Sequence, residues 1–432
     1  MRLTLLIFSL ESGGAEKIVS TQANYWATKG WEVTFITICD IPAFYKLEPS
    51  IKLNQLGICP HTIHHLKSGG ISQSSRGNGQ VTKGLNLSLT TRLLNNLKRL
   101  YLIRQAIQTS HPEVVISFMD RENVLTLLAT LGLPVSVIVT EHSDPTHHSI
   151  GNRWWRYIQR LAYRRAAAIA VLTPKSVEYF PDYLQKKCRV IPNPVSLPDH
   201  QGVSERVSGI GGQPKGQRPA EGSEETPQTP DTRHPTPSDG RKVVISIGRL
   251  IPLKGFDMLI QAFAKVAPQY PDWSLEIWGE GEARPELEAL CQKLKIADRV
   301  RLPGFTEQPL EKLRQANLFV LSSHYEGFPT VLWEAMGCGL PAISFDCPSG
   351  PAMIIRNGLD GILVPPNDIE ALSQTMGDLM GDETARNQLA AHAPEVLERF
   401  SVEKVMGEWD KLITETRLRT SRNLGYSQLT RK

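Results

Sequence analysis

The sequence predicts an α/β protein of two doubly wound domains facing a cleft, joined through a disordered insertion. Three observations predict it. Short, wholly apolar runs alternate with longer stretches of helical period in both halves of the chain. Such strands belong to parallel sheets covered by helices on both faces. The 432 residues exceed one ordinary core. Between the halves, Asp199 to Gly240 holds six Pro and seven Gly in 42 residues and almost no large apolar side chain. A segment of that composition cannot bury enough surface to offset its ordering entropy.

The strands expected in the first half are Leu3–Phe8, Val33–Ile38, Val114–Phe118, Val135–Val139 and Ala168–Leu172. After the first, Ile18, Val19, Ala23, Trp26 and Ala27 share one helical face. Residues 61–110 read as a loop followed by an amphipathic helix. Leu93, Leu94, Leu97, Leu100 and Tyr101 line one side of it, with Arg92, Lys98, Arg99 and Arg104 around the rest. A second basic stretch, Arg153-Trp154-Trp155-Arg156-Tyr157, runs on to Arg160, Arg164 and Arg165. Basic residues among aromatics suit a membrane interface. They also suit an ordinary helix with its Trp residues in the core, which is the preferred reading. The strands expected in the second half are Val243–Ile247, Ser274–Trp278, Val300–Leu302, Leu318–Leu321 and Pro341–Ser344. The domains are therefore 1–198, a linker at 199–240, 241–400, a last helix at 401–418 and a frayed tail at 419–432.

Charge is uneven. Residues 1–200 carry 22 Lys+Arg against 13 Asp+Glu, and the remainder 26 against 31. A basic first half attracts acidic lipid or phosphate-bearing partners, or is simply a solvated surface. The six cysteines are scattered without a C-x-x-C pair, so no disulfide framework and no zinc site are expected, and a reducing compartment fits. The apolar run Leu3–Leu10 ends at Glu11 with no small-x-small site after it. It reads as a buried strand, not a signal segment. No window approaches 18 uninterrupted apolar residues, so no membrane span is expected.

Four motifs carry chemistry. The strongest runs from Ser322 through Glu326-Gly327-Phe328-Pro329-Thr330-Val331 to Glu334. Gly327 permits a tight turn and Pro329 suits a helix start. The free N–H groups near Thr330 and Val331 can receive an anion, a diphosphate above all. Glu326 and Glu334 are acceptors suited to sugar hydroxyls. Next, Gly248-Arg249-Leu250 with Lys254-Gly255 directly follows a strand. Its two cations at the carboxyl edge of a sheet favour a departing diphosphate. Gly13-Gly14-Ala15-Glu16 lies at a strand-to-helix turn but lacks G-x-G-x-x-G, so a nicotinamide cofactor is unsupported. Finally, Thr140-Glu141-His142-Ser143 follows a strand. His142 there either faces a ligand or is satisfied by local backbone. The groups His61/His64/His65 and His142/His147/His148 lack accompanying metal-ligand spacing, and no metal is expected.

With these motifs in order, the chain resembles glycosyltransferase family 4. The match adds Val190-Ile191-Pro192-Asn193-Pro194 and Gly361-Ile362-Leu363-Val364-Pro365. The resemblance implies the GT-B fold, two Rossmann-like domains with the donor in the second and the acceptor in the first, and a last helix crossing back. It implies a retaining, metal-independent transfer from a nucleotide-diphosphate sugar, without cofactor. Arg249 and Lys254 would hold the diphosphate and Glu334 the ribose. Glu326 with Gly327, Phe328 and Thr330 would contact sugar and phosphates, beside Pro329. Gly13 and Gly14 would line the diphosphate, His142 would touch the donor sugar, and Gly304-Phe305 would receive the base. Expected partners are the nucleotide sugar, probed first as UDP-sugar, and a lipid-linked or saccharide acceptor. No nucleic acid is expected. A cytoplasmic location with peripheral membrane association follows. Two rivals share the architecture: a nucleotide-sugar epimerase, and a non-catalytic nucleotide-sugar-binding protein.

Overall fold

The computed structural model describes residues 1–11, 13–59, 89–142, 153–197 and 241–429. The insertion at 199–240, the loop at 61–88, Ser12, Ser143, His147 and His148 lie outside the described residues. The chain separates into two units. One comprises Met1–Val171, Val177–Ile191 and Glu408–Lys432; the other comprises Leu172–Ser176 and Pro192–Gly407.

Among the described residues, the first unit contains a seven-stranded parallel sheet ordered β3-β2-β1-β4-β5-β6-β7. Its strands are β1 (Arg2–Ile7), β2 (Glu32–Thr37), β3 (Lys52–Gln55), β4 (Val114–Phe118), β5 (Ser136–Glu141), β6 (Ala168–Val171) and β7 (Cys188–Val190). All five residues of β4 are buried, as a strand covered on both faces requires. Its helices include α1 (Gly14–Thr28), α2 (Leu89–Ser110), α3 (Asp120–Ala129) and α4 (Arg153–Tyr163). Right-handed crossovers put α1 on one face and α2, α3 and α4 on the other. Accordingly, α3 packs between α2 and α4.

The second unit contains a six-stranded parallel sheet ordered β10-β9-β8-β11-β12-β13. These are β8 (Lys242–Ile247), β9 (Trp273–Trp278), β10 (Val300–Gly304), β11 (Leu318–Leu321), β12 (Ala342–Phe345) and β13 (Ile362–Val364). One core cluster gathers Trp273, Leu275, Val320, Ile343 and Phe345 from one face of this sheet, with Phe263 from the helix packed on it.

Each strand expected from sequence is present within a residue or two. The edge strands β3, β7 and β13 were not expected. They are three or four residues long, and β3 is largely exposed, so they lack the apolar run that marks a central strand.

Three further expectations need correction. The last helix does not stop near residue 418 but runs from Val402 to Leu429. Within the first unit it is held to α1, where Trp26 Nε1 donates to Asp410 Oδ1 at 2.9 Å and Lys29 Nζ pairs with Asp410 at 2.5 Å. Second, Cys39 and Cys59 form a disulfide. Adjacent β2 and β3 pair Thr37 with Gln55, which brings their outgoing ends together, a contact that residue spacing cannot reveal. Third, Trp154 is not core: it is 72% exposed. The inner face of α4 is taken by Trp155, Gln159, Ala162 and Tyr163, leaving Trp154 on the outside.

Candidate functional site

In an open parallel sheet the ligand crevice forms beyond the carboxyl ends of the strands where chain order reverses. In the second unit β8 lies between β9 and β11. The two strongest motifs leave the sheet there, Gly248-Arg249-Leu250 from β8 and Ser322–Glu326 from β11.

Close backbone approaches fix this edge. Gly279 has φ 146°, and a Cβ on it would sit 1.9 Å from Gly248 O. A Cβ on Gly281 would sit 2.3 Å from Leu250 O. The loops after β8 and β9 are zipped by Gly248 N to Trp278 O at 2.9 Å and Leu250 N to Glu280 O at 2.9 Å. Gly255 takes φ 60°, and a Cβ there would sit 2.2 Å from Ser322 O. Only glycine permits that conformation and contact together. The contact sets Lys254 against the β11 loop. Ser322 Oγ donates to Lys254 O at 3.0 Å, and His324 N donates to Leu253 O at 3.0 Å.

The result is a charged pair at the sheet edge. Lys254 Nζ lies 2.6 Å from Glu326 Oε1, with side chains 21% and 11% exposed. Ser323 Oγ donates to the same oxygen at 2.6 Å. Arg249 is exposed, and no carboxylate among the described residues lies within ion-pair distance of it. Glu326, Gly327, Phe328 and Pro329 lead into the helix Thr330–Gly337. The loop after β12 folds against this lead. Gly350 N donates to Glu326 O at 3.2 Å, Ser349 takes φ 88°, and a Cβ on Gly350 would sit 2.7 Å from Gly327 O. The Phe328 ring is buried edge-on to Phe400, 5.3 Å between centroids, so it offers only backbone to a ligand. Glu334 is buried within the helix. Gly304 closes β10 at φ 103°, and Phe305 beyond it is 60% exposed, an open ring face for stacking.

In the first unit the corresponding edge carries Gly13 and Gly14 after β1 and His142 after β5. Gly13 is extended at φ −165°, which any residue adopts. His142 packs against Phe118 at 5.6 Å, and burial pushes its imidazole down to about 4, so it is neutral at pH 7. Beneath it Glu141 is buried, with no cation paired to it among the described residues. Tyr163 Oη and Gln159 Nε2 donate to its Oε1, the latter at 3.1 Å. Burial pushes this carboxyl up to about 8.

Sequence reasoning passed over Ser323, and the Gly279-Glu280-Gly281 turn that shapes the edge. A Gly-x-Gly directly after a strand was a readable signal for the turn. Nothing marked Ser323, whose role depends on a loop folding back. Among the described residues no cluster of three or more His, Cys, Asp or Glu side chains is placed to hold a metal.

Comparisons with known proteins agree with this architecture. The family profile Glycosyltransferase Family 4 matches residues 12–198, and Glycosyl transferases group 1 matches residues 228–396. A Campylobacter jejuni relative is 26% identical over 96% of this chain and 99% of its own. It is named as an α-1,4-N-acetyl-D-galactosaminyltransferase acting on a GalNAc- and diNAcBac-bearing diphospho-undecaprenol. An exopolysaccharide phosphotransferase of Streptomyces coelicolor is 41% identical over 43% of this chain, which spans only 20% of that protein. Among solved structures, Anabaena HepE in complex with UDP and glucose superposes with a TM-score of 0.69 at 18% identity, covering 96% of this chain and 99% of that one. The chain belongs to glycosyltransferase family 4 and has the GT-B fold.

Proposed function

We propose that this chain is a retaining hexosyltransferase. It moves a hexosyl or N-acetylhexosaminyl group from a nucleoside-diphosphate sugar, UDP-linked in the first instance, to a lipid-linked or polysaccharide acceptor. One observation carries the reading. At the switch point of the second sheet, Lys254 pairs with Glu326 on the loop that leads into the helix Thr330–Gly337, and exposed Arg249 leaves the same edge after β8. Two cations and free backbone N–H groups at one edge make a diphosphate site. The relative acting on a diphospho-undecaprenol saccharide supports the acceptor class. HepE, solved with UDP and glucose, supports the donor class.

In the proposed reaction the bond from the anomeric carbon to the diphosphate breaks as the acceptor oxygen bonds to the same face. The acceptor hydroxyl proton passes to the departing phosphate oxygen. Arg249 and Lys254 stabilise the charge growing on the diphosphate. Glu326 is held by Lys254 and Ser323, so it orients sugar hydroxyls and does not attack carbon. Glu334 takes the ribose hydroxyls, and Phe305 after Gly304 stacks on the base. The two lysine and arginine charges do what a metal ion does in other transferases, so the reaction proceeds without one. The Cys39–Cys59 disulfide removes the cysteine argument for a reducing compartment. A cytoplasmic location rests instead on the donor, whose charged diphosphate does not cross a bilayer, and a lipid-linked acceptor places the enzyme at the membrane face.

The test is a thermal-shift screen across UDP, GDP and their sugars, followed by NMR of the product's anomeric configuration with chelator present. Stabilisation by one nucleotide series and a retained anomer are expected. An inverted anomer, or a covalent sugar trapped on Glu326, overturns the mechanism. An epimer formed from donor alone, or nucleotide binding without turnover, overturns the transferase reading.

A further inference from the structure

We infer that Glu280 selects the base of the donor nucleotide: its carboxylate accepts from the ring N3–H of uracil and turns away cytosine, whose N3 is a lone pair. The inference deepens the reading of Gly304 and Phe305 as the receiver of the base and rests on it.

Glu280 lies in the turn after β9, between two glycines whose α-carbons have no room for a side chain. Its backbone is held on both sides. Gly279 N donates to Gly304 O at 2.8 Å, and Leu250 N donates to Glu280 O at 2.9 Å. The turn is thereby tied to the end of β10 and to the loop that carries Arg249. The side chain leans toward β10, where a Cβ on Gly304 would sit 3.1 Å from Glu280 Oε1. A larger residue at 304 would push the carboxylate away. Glycine there, at φ 103°, keeps it against the backbone from which the exposed Phe305 ring projects.

The carboxylate is also fixed in orientation. Arg284, at the start of the helix Arg284–Lys293, grips both of its oxygens. Nε donates to Oε2 at 2.9 Å and Nη2 to Oε1 at 2.8 Å. The guanidinium is itself held by Leu302 O at 3.0 Å, Gly279 O at 3.2 Å and Glu288 Oε1 at 3.1 Å. Leu302 belongs to β10, so the carboxylate and Phe305 hang from one frame. A two-pronged pair sets direction as well as position. Even so, the Glu280 side chain stays 57% exposed, against 23% for Arg284. The guanidinium takes one lone pair on each oxygen and leaves Oε1, beside Gly304, able to accept again. Exposed pairs at i, i+4 add little to stability, so the value of this one lies in where it points the carboxylate.

Chemistry then decides the base. An ionised carboxylate accepts and cannot donate. Uracil and cytosine have the same ring size and differ along one edge. Uracil offers N3–H to Glu280 Oε1. Cytosine sets a lone pair against it, and can offer its amino group only by sliding off the position fixed by the stacked ring and the ribose. A site built around one substrate N–H discriminates strongly against an analogue that lacks it.

The test is titration calorimetry of the full chain with UDP, CDP, GDP, N3-methyl-UDP and inorganic diphosphate, on wild type and Glu280→Ala. Wild type should bind UDP about tenfold or more tighter than CDP and N3-methyl-UDP, the worth of one hydrogen bond to a charged group. In Glu280→Ala that ratio should fall to near one, with diphosphate affinity and melting temperature unchanged. A wild type that prefers CDP or GDP, or that binds N3-methyl-UDP as well as UDP, overturns the inference alone. So does Glu280→Ala with the wild-type ranking. Equal loss of UDP, CDP and diphosphate with a lower melting temperature makes Glu280 a loop-shaping residue and overturns it too. UDP preference without sugar transfer leaves Glu280 standing and overturns the transferase reading.

Discussion

Replacing Lys254 with Ala tests the site at its centre. Lys254 Nζ is 2.6 Å from Glu326 Oε1, and both side chains are mostly buried. Truncation leaves the Glu326 carboxylate with Ser323 Oγ as its described donor. Breaking a fully buried pair costs about 3–5 kcal/mol; partial exposure here reduces that to about 1–3 kcal/mol. For a unit of this size the melting temperature should fall by about 2–12 °C. Activity should fall further, because in the proposed reaction the cation also stabilises the departing diphosphate. Loss of one such group costs about 100-fold or more in kcat. The two effects separate in a double-mutant cycle with Glu326→Gln. The Gln removes the stranded charge, so the double variant should recover much of the lost melting temperature while kcat stays low. Calorimetry and steady-state kinetics read the two quantities. Wild-type turnover in Lys254→Ala would refute the assignment, and a melting temperature unmoved by either change would refute the energetic coupling of the pair.

Arg249→Ala, at an exposed position, should lower kcat about 100-fold while leaving the melting temperature within a degree or two; a comparable loss of stability would show that the side chain is structural. Gly255→Ala meets both a left-handed φ of 60° and a 2.2 Å approach to Ser322 O, so urea unfolding should show a loss of about 2 kcal/mol or more; a neutral result would mean the turn is not what sets Lys254 against β11. Phe305→Ala should weaken UDP binding by about tenfold, the worth of one stacked ring, without altering affinity for inorganic diphosphate; equal loss for both ligands would move the base elsewhere. Glu141 is pushed up to about 8 from an ordinary 4.5, so the folded state keeps a proton that the unfolded state releases between those values. Its stabilisation is full below pH 4.5 and is lost as pH rises through 8. Glu141→Gln should therefore gain on wild type by about 2–3 kcal/mol between pH 5 and pH 7, and a pH-independent difference would show that the carboxyl is ionised when folded.

The central strands, the two-sheet organisation and the charged motifs at the strand ends were written in local patterns. Val114–Phe118 and Leu318–Leu321 are runs that only a doubly covered strand tolerates. Glycine and proline around Glu326 punctuate a loop and a helix start whatever the rest of the chain does. The sequence alone thus determined that cations and carboxylates sit at strand ends. It could not show that Lys254 and Glu326, 72 residues apart, form one pair. That follows from β8 and β11 being neighbours and from a glycine whose Cβ has no room. Nor could it pair Cys39 with Cys59 or choose a side for Trp154. A helical period marks both faces of α4 as apolar, and only the packed sheet beneath decides which one is covered.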